Sequence, residues 1–249
     1  PVASQCGGCK IQQLSYEKQK EFKWNQVANC LKRIGGFDGI EAKMEPIYGM
    51  EHPWHYRNKA QYPVGLDKAG NIIAGFYAGR THTIVPNTDC LIQAEVNKDI
   101  LEIILRYLRK NNIRPYDEKS HTGLVRHVLV RHSRATGRVL VALVTAAPVL
   151  PGARAFVSKV RELCPRVETI VQNINPRRSS AVLGPREKVL WGRGYIEDTL
   201  CGVRFRLGAS SFYQINPEQT EVLYRTALDG AGLDGTQTVV DAYCGVGTI

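Results

Sequence analysis

Two spacings of apolar residues alternate along this chain, and the changes from one to the other mark its elements. Between residues 15 and 34, Trp24, Val27, Leu31 and Ile34 recur every three or four positions, the stripe of a helix. Ser15 suits its N-cap, Glu17 its first turn, and Gly35-Gly36 its end. The stripe predicts a core-packed face, with Lys18, Lys20, Lys23, Lys32 and Arg33 on the solvated side. A second helix is expected over 97–111, with Ile100, Ile103, Ile104 and Leu108 buried, and a third over 153–163. Strand-like stretches fall at 55–64, 71–77 and 81–85, parted by turns at 67–70 and 79–80. A hairpin is expected from 124–132 and 138–146 across 133–137, then strands at 167–173, 194–198 and 203–207. Between them, 148–152 is a connector and 175–180 a polar loop.

Asn216 and Pro217 open a further helix. Asn216 is a good N-cap, Pro217 fits the first helical position, and Gln219 completes capping-box spacing. Capping explains Asn216 but leaves Gln214 unexplained. At the far end, Thr238, Val239 and Val240 read as a buried parallel strand that closes on Asp241. Gly245 and Gly247 then let the backbone approach a ligand at a strand-to-helix turn. A lone Gly-x-Gly also occurs in ordinary tight turns.

With 249 residues the chain has room for one or two domains. Lys and Arg number 33 against 23 Asp and Glu, a formal charge of +10. That balance fits either an anionic partner such as RNA or a soluble protein with excess lysine. No run approaches the roughly 20 apolar residues of a membrane span, and no signal pattern opens the chain, so a cytoplasmic location is expected. The basic residues concentrate at Arg126, His127, Arg131, His132, Arg134 and Arg138. His127 has no triad partners nearby and reads as a structural or RNA-contacting histidine. Arg57 and Lys59 flank Asn58, so in a strand both project from one face, to track phosphates or to guard a sheet edge.

Seven unevenly spaced cysteines do not make a disulfide framework. Cys30, Cys164 and Cys201 read as small buried hydrophobes. Cys6-Gly-Gly-Cys9 sets two thiols one tight turn apart, a spacing for zinc, for an iron–sulfur cluster or for a redox pair.

The order Cys6-Gly-Gly-Cys9, then Ser210-Ser-Phe-Tyr-Gln-Ile-Asn216, then the 238–249 turn resembles the S-adenosylmethionine-dependent RNA uracil-5 methyltransferases. The likeness is greatest to the iron–sulfur members that act on 23S ribosomal RNA. The resemblance implies an α/β fold: an α+β central domain with a mixed sheet over 1–195, then the start of a Rossmann-like domain over 196–249. It implies that Gln214 and Tyr243 (usually Phe in the family) contact S-adenosylmethionine, with Thr248 where Asn is frequent, while Asp241 and Gly245 shape the pocket. It places Cys6, Cys9 and Cys90 among the four ligands of a 4Fe–4S cluster, the fourth falling immediately ahead of Pro1. Arg57, Lys59, Arg126 and Arg131 are the candidate RNA contacts.

In such enzymes a cysteine thiolate adds to uracil carbon 6, carbon 5 takes the methyl group, and a base removes the carbon 5 proton. The target base is reached in a loop or flipped from its stack. The family's nucleophile and base both lie beyond the glycine turn, so none of these residues is expected to be catalytic. Cys244 matches a motif cysteine, not the nucleophile. The expectation is a monomeric fragment, inactive alone, of an enzyme methylating 23S ribosomal RNA. The alternatives are a transfer RNA uracil-5 methyltransferase, or a non-enzymatic RNA-binding module with zinc on Cys6, Cys9 and Cys90.

Overall fold

The computed structural model describes residues 2–248. Its centre is the pair β4 (Val125–His132) and β5 (Val139–Thr145), almost wholly buried. Such near-continuous runs belong to strands covered on both faces. β5 is joined to a parallel neighbour, β6 (Val167–Ile174), through α3 (Ala153–Leu163), since parallel pairing needs a crossover. On the other side of β4 lie β1 (Lys59–Leu66), β2 (Ile72–Tyr77) and β3 (Ile84–Pro86), all antiparallel, and β7 (Arg186–Trp191) closes the far edge. The order is β3-β2-β1-β4-β5-β6-β7, a mixed seven-stranded sheet in an α/β fold.

Each face of the sheet has its own core. On one, Tyr62, Val128, Val130, Val141 and Ile170 meet Ile100, Ile104 and Leu108 of α2 (Val96–Lys110) and Phe156 and Val160 of α3. On the other, Leu129, Leu140, Ala142 and Val171 meet the hairpin of β8 (Ile196–Leu200) and β9 (Val203–Leu207). Tyr224 of α4 (Pro217–Ala231) and Tyr213 ahead of it complete that layer. Among the described residues no helix is long and apolar enough to cross a membrane.

Several expectations are corrected. The helix α1 (Tyr16–Arg33) forms, with Ser15 Oγ accepting from the Lys18 N–H at 3.4 Å, but its stripe does not enter a core. Only Ala28 is buried, and Ile34 is 86% exposed. The helix is strongly polar and rests on the extended segment near Met44, Pro46 and Ile47, where Trp24 donates to the Glu45 carbonyl at 3.2 Å. Thr238, Val239 and Val240 form no strand, and Val240 is 81% exposed, because no described strand lies alongside to pair with them. Cys164 is buried as expected, whereas Cys30, on the outer side of α1, and Cys201, in the β8–β9 turn, are exposed. The strand β7 was not legible: its first four residues are exposed, so no apolar alternation marks it.

Candidate cofactor and RNA site

The loop 208–216 is held to the large sheet from below. Asn58 donates its side-chain N–H to the Gln214 carbonyl at 2.8 Å and its backbone N–H to the Ile215 carbonyl at 3.0 Å. The Arg131 guanidinium donates to the Ser211 carbonyl. At the loop's end Asn216 Oδ1 accepts from the Gln219 N–H at 3.2 Å, and Pro217 opens α4 as its capping chemistry requires. Gln214 is therefore fixed through its backbone, and its half-buried side chain takes no part in that fixing.

Beneath the loop lies a cluster of buried polar groups. Arg131 Nε and Nη1, Tyr213 Oη and Asp198 Oδ2 are all buried with no hydrogen-bond partner among the described residues. The other oxygen of Asp198 accepts from Ser133 Oγ at 2.9 Å and from the N–H groups of Ala135 and Thr199 at 3.0 Å. Burial pulls Arg131 down to about 10, opposed by Tyr213 and Asp198, and burial pushes the Tyr213 hydroxyl well up. Loss of solvation thus outweighs the nearby opposite charge.

The glycine turn is tied to the same helix. Tyr224 of α4 and Thr248 share a hydroxyl–hydroxyl hydrogen bond at 3.3 Å. Asp241 Oδ1 accepts from the Tyr243 N–H at 2.9 Å, while its Oδ2 is buried with no partner among the described residues. Gly245 and Gly247 take φ of 55° and 73°, the left-handed region that favours glycine. The Tyr243 side chain is 95% exposed and Cys244 is exposed.

Cys6, Cys9 and Cys90, the expected ligand set, lie near enough for the charge of one thiol to act on another, although 81 residues separate Cys9 from Cys90. Cys6 forms an isolated bridge with Ala78, and Gly7 N–H donates to the Tyr77 carbonyl at 2.9 Å. A Cβ on Gly7 would stand 2.8 Å from the Gly79 nitrogen, so the turn packs flush on the end of β2. The Cys90 loop is held by the segment before β1: His55 and Arg57 N–H groups donate to the carbonyls of Leu91 and Ile92 at 2.8 and 3.0 Å. Burial raises the Cys9 thiol, and the Cys90 and Cys6 thiols raise it further, while Arg57 opposes them. Cys90 is raised by burial and by Cys6, against the Ile92 and Gln93 N–H groups and Arg57. Among the described residues, no group of three or more His, Cys, Asp or Glu is gathered as tightly as a bound metal ion requires. One zinc would need sulfurs all about 2.3 Å from a single centre.

Of the four expected RNA contacts, two are corrected. Arg131 is fully buried on the Ser211 carbonyl, and Arg126 is 4% exposed on the carbonyls of Asn175, Arg177 and Ser179. Each sits in a central strand with no solvent face, so neither guanidinium reaches a phosphate. Arg57 and Lys59 are half-buried; Arg57 acts on the thiols, and Lys59, paired in register with Arg131, is pulled down by burial and by both arginines. Asn58 and Asp198 were missed. The loop partners of Asn58 lie more than 150 residues away, and the only signal was a small amide between Arg57 and Lys59 at a strand start.

No protein-family model matches the chain. A protein of Halalkalibacterium halodurans named an uncharacterized RNA methyltransferase is 45% identical over 249 residues, covering all of this chain and 54% of that protein. A like-named protein of Listeria monocytogenes is 46% identical over 250 residues, again covering the whole chain and 54% of the relative. Among solved structures, the Pyrococcus abyssi tRNA (uracil-54, C5)-methyltransferase in complex with S-adenosyl-L-homocysteine superposes with a TM-score of 0.75 at 25% identity, over 100% of this chain and 55% of its own. The chain is thus similar in sequence to proteins named RNA methyltransferases and in fold to one solved tRNA methyltransferase. It spans about half the length of the relatives it matches.

Proposed function

We propose that these residues serve an enzyme that transfers a methyl group from S-adenosylmethionine to carbon 5 of a uracil in RNA. What supports this most is the relation to proteins named RNA methyltransferases over the whole chain. The cofactor, when bound, supplies the electrophilic methyl group. Gln214, held in place by Asn58, and the turn with Asp241, Tyr243, Gly245 and Thr248 are the groups proposed to bind it; the unpartnered buried oxygen of Asp241 suits a ligand donor. These two motifs bracket α4; the proposed division of the chain near residue 195, into a central unit and the opening of the cofactor unit, leaves β8 and β9 packed on the central sheet.

Two finer parts of the reading rest on the cysteines. Cys6, Cys9 and Cys90 suit a cysteine-ligated cluster in kind: three neighbouring thiols, with Arg57 beside them to offset thiolate charge. The same set favours 23S ribosomal RNA as the substrate. Transfer RNA is the second reading, because the solved relative is named for position 54 of tRNA. The half-buried Arg57 and Lys59, at the start of β1, stay proposed RNA contacts.

The test is transfer of a labelled methyl group from S-adenosylmethionine by the full-length protein to 23S and transfer RNA transcripts, with nucleosides resolved by mass spectrometry. 5-Methyluridine in one transcript, lost with Gln214→Ala, supports the reading and names the substrate; none in either overturns it. Absorbance near ~400 nm with matching iron content separates a cluster from zinc.

A further inference from the structure

Arg126 is withdrawn from solvent, yet what it builds faces solvent. Its Nη1 donates to the carbonyls of Asn175 (3.1 Å) and Arg177 (2.5 Å), its Nη2 to the carbonyl of Ser179 (3.1 Å), and its Cζ lies 4.4 Å from the centre of the Tyr116 ring. Asn175, also buried, donates to the carbonyls of Ala181 (2.6 Å) and Val182 (3.1 Å) and accepts from the Arg177 N–H at 3.1 Å. The buried Arg126 and Asn175 side chains thus fix the backbone of 175–182, and neither bonds a side chain of 176–182. Pro176, Arg177, Arg178, Ser179 and Ser180 are all exposed.

A basic stripe continues onto the neighbouring edge strand. Arg186 and Lys188 alternate on β7, in register with Ile174 and Gln172, and both are exposed. Glu187 between them turns to the opposite face, where it accepts from Asn173 at 3.2 Å. Among the described residues, none of Arg177, Arg178, Arg186 and Lys188 is in an ion pair. Behind them the Arg126 charge is met by carbonyl dipoles and not by a carboxylate, so its field is not cancelled. A loop ordered in advance loses little freedom on binding, and four free cations along one edge suit a polyanion.

We propose that Arg177, Arg178, Arg186 and Lys188 form a phosphate-tracking surface for RNA, separate from the cofactor loop. The loop leaves β6 beside the start of β4, whereas Asn58 and Arg131 lie at its other end, some six residues along. At about 3.3 Å per residue that is roughly 20 Å, so the surface grips RNA flanking the target and not the target base. This rests on the RNA-methylation reading above.

The test uses the full-length protein and an in vitro transcript of 23S ribosomal RNA, with binding measured across salt concentrations. Each lost phosphate contact lowers the slope of log affinity against log salt by about 0.7 to 0.9. Arg177→Ala with Arg178→Ala is expected to lower it by about 1.5 and to raise KM for RNA, with kcat and S-adenosylhomocysteine affinity retained. The double lysine variant, which keeps both charges, is expected to restore the slope. Unchanged slope and affinity in the alanine variant overturn the proposal, as does equal loss in the lysine variant, which would mark a structural role. If the wild type neither binds nor methylates RNA, the functional reading itself fails; if it does both and the alanine variant matches it, only the surface fails.

Discussion

Replacing Asn58 by alanine isolates one of the contacts that join the large sheet to the loop 208–216, the proposed cofactor contact. The substitution removes one donor, at 2.8 Å from the Gln214 carbonyl, and leaves the backbone bond to Ile215 and the Arg131 bond to Ser211 in place. A hydrogen bond of this kind is worth about 1 kcal/mol net, and up to ~3 kcal/mol when its loss strands a buried partner. The Gln214 carbonyl is only partly enclosed, so the lower half of that range applies. If the held loop is the form that binds cofactor, apparent affinity falls with its population, and ~1 to 1.4 kcal/mol corresponds to about a five- to tenfold loss. The same change lowers the melting temperature by roughly 2–6 °C.

Asn58→Asp keeps the shape but sets a carboxylate oxygen against the Gln214 carbonyl, so its loss of affinity is expected to be larger. Calorimetry of S-adenosylhomocysteine binding to the full-length protein, beside thermal unfolding, reads both effects. Asn58 acts as a positioning residue only if affinity falls in the order wild type, alanine, aspartate. A lower melting temperature with unchanged affinity would reduce it to a structural contact. No change in either would mean the bond carries nothing.

Other perturbations report on the frame around the site. Burial holds His127 at about 4, below its ordinary 6.5, so the unfolded chain takes a proton before the folded one does; stability is full above pH ~6.5 and is lost as pH falls toward 4, by up to ~3 kcal/mol. His132 is shifted the same way, so urea midpoints between pH 7.5 and 4.5 should fall in wild type and fall less steeply in His127→Gln, the remaining slope coming from His132; a flat wild-type profile would contradict the burial argument. Arg131→Met takes the buried cation from beside Asp198 and frees the Ser211 carbonyl, for an expected loss of ~1–3 kcal/mol in denaturant unfolding; no loss would show that the bond to Ser211 carries nothing. Gly75→Ala would set a Cβ 1.9 Å from the Val85 carbonyl oxygen, pushing β3 away with the Cys90 loop that follows it; about 2 kcal/mol of lost stability and faster thiol labelling of Cys90 are expected, and wild-type labelling would refute the link.

What was legible in the chain was what local chemistry decides. The helix 153–163 and the strand 203–207 match to the residue, and the Asn216–Pro217 start holds because capping is settled within one turn. The hairpin 124–146 was legible because its apolar runs have nowhere else to go. What failed depended on distant partners. The stripe of α1 has helical spacing, but spacing states only that a face exists, and the surface beneath it is a short extended segment instead of the sheet. Val239 and Val240 have strand chemistry, yet a strand is made by its neighbours.

The buried arginines carry the sharpest lesson about sites. Arginine is rarely buried, so a dense basic cluster reads as a surface. The flanking residues held the contrary signal: Val125, Val128, Leu129 and Val130 leave β4 no polar face on which Arg126 or Arg131 could meet solvent. A guanidinium in such a strand must find acceptors, and the largest unspent supply in a protein is the carbonyls of irregular segments. Arg126 and Arg131 each go to one, the loop after β6 and the loop before α4. The two segments that a sequence shows as unstructured are thereby the ones the sheet shapes most closely. The proposed cationic contact with RNA then falls to residues that look unremarkable in sequence, Arg177 and Arg178, because their backbone is held and their side chains are exposed.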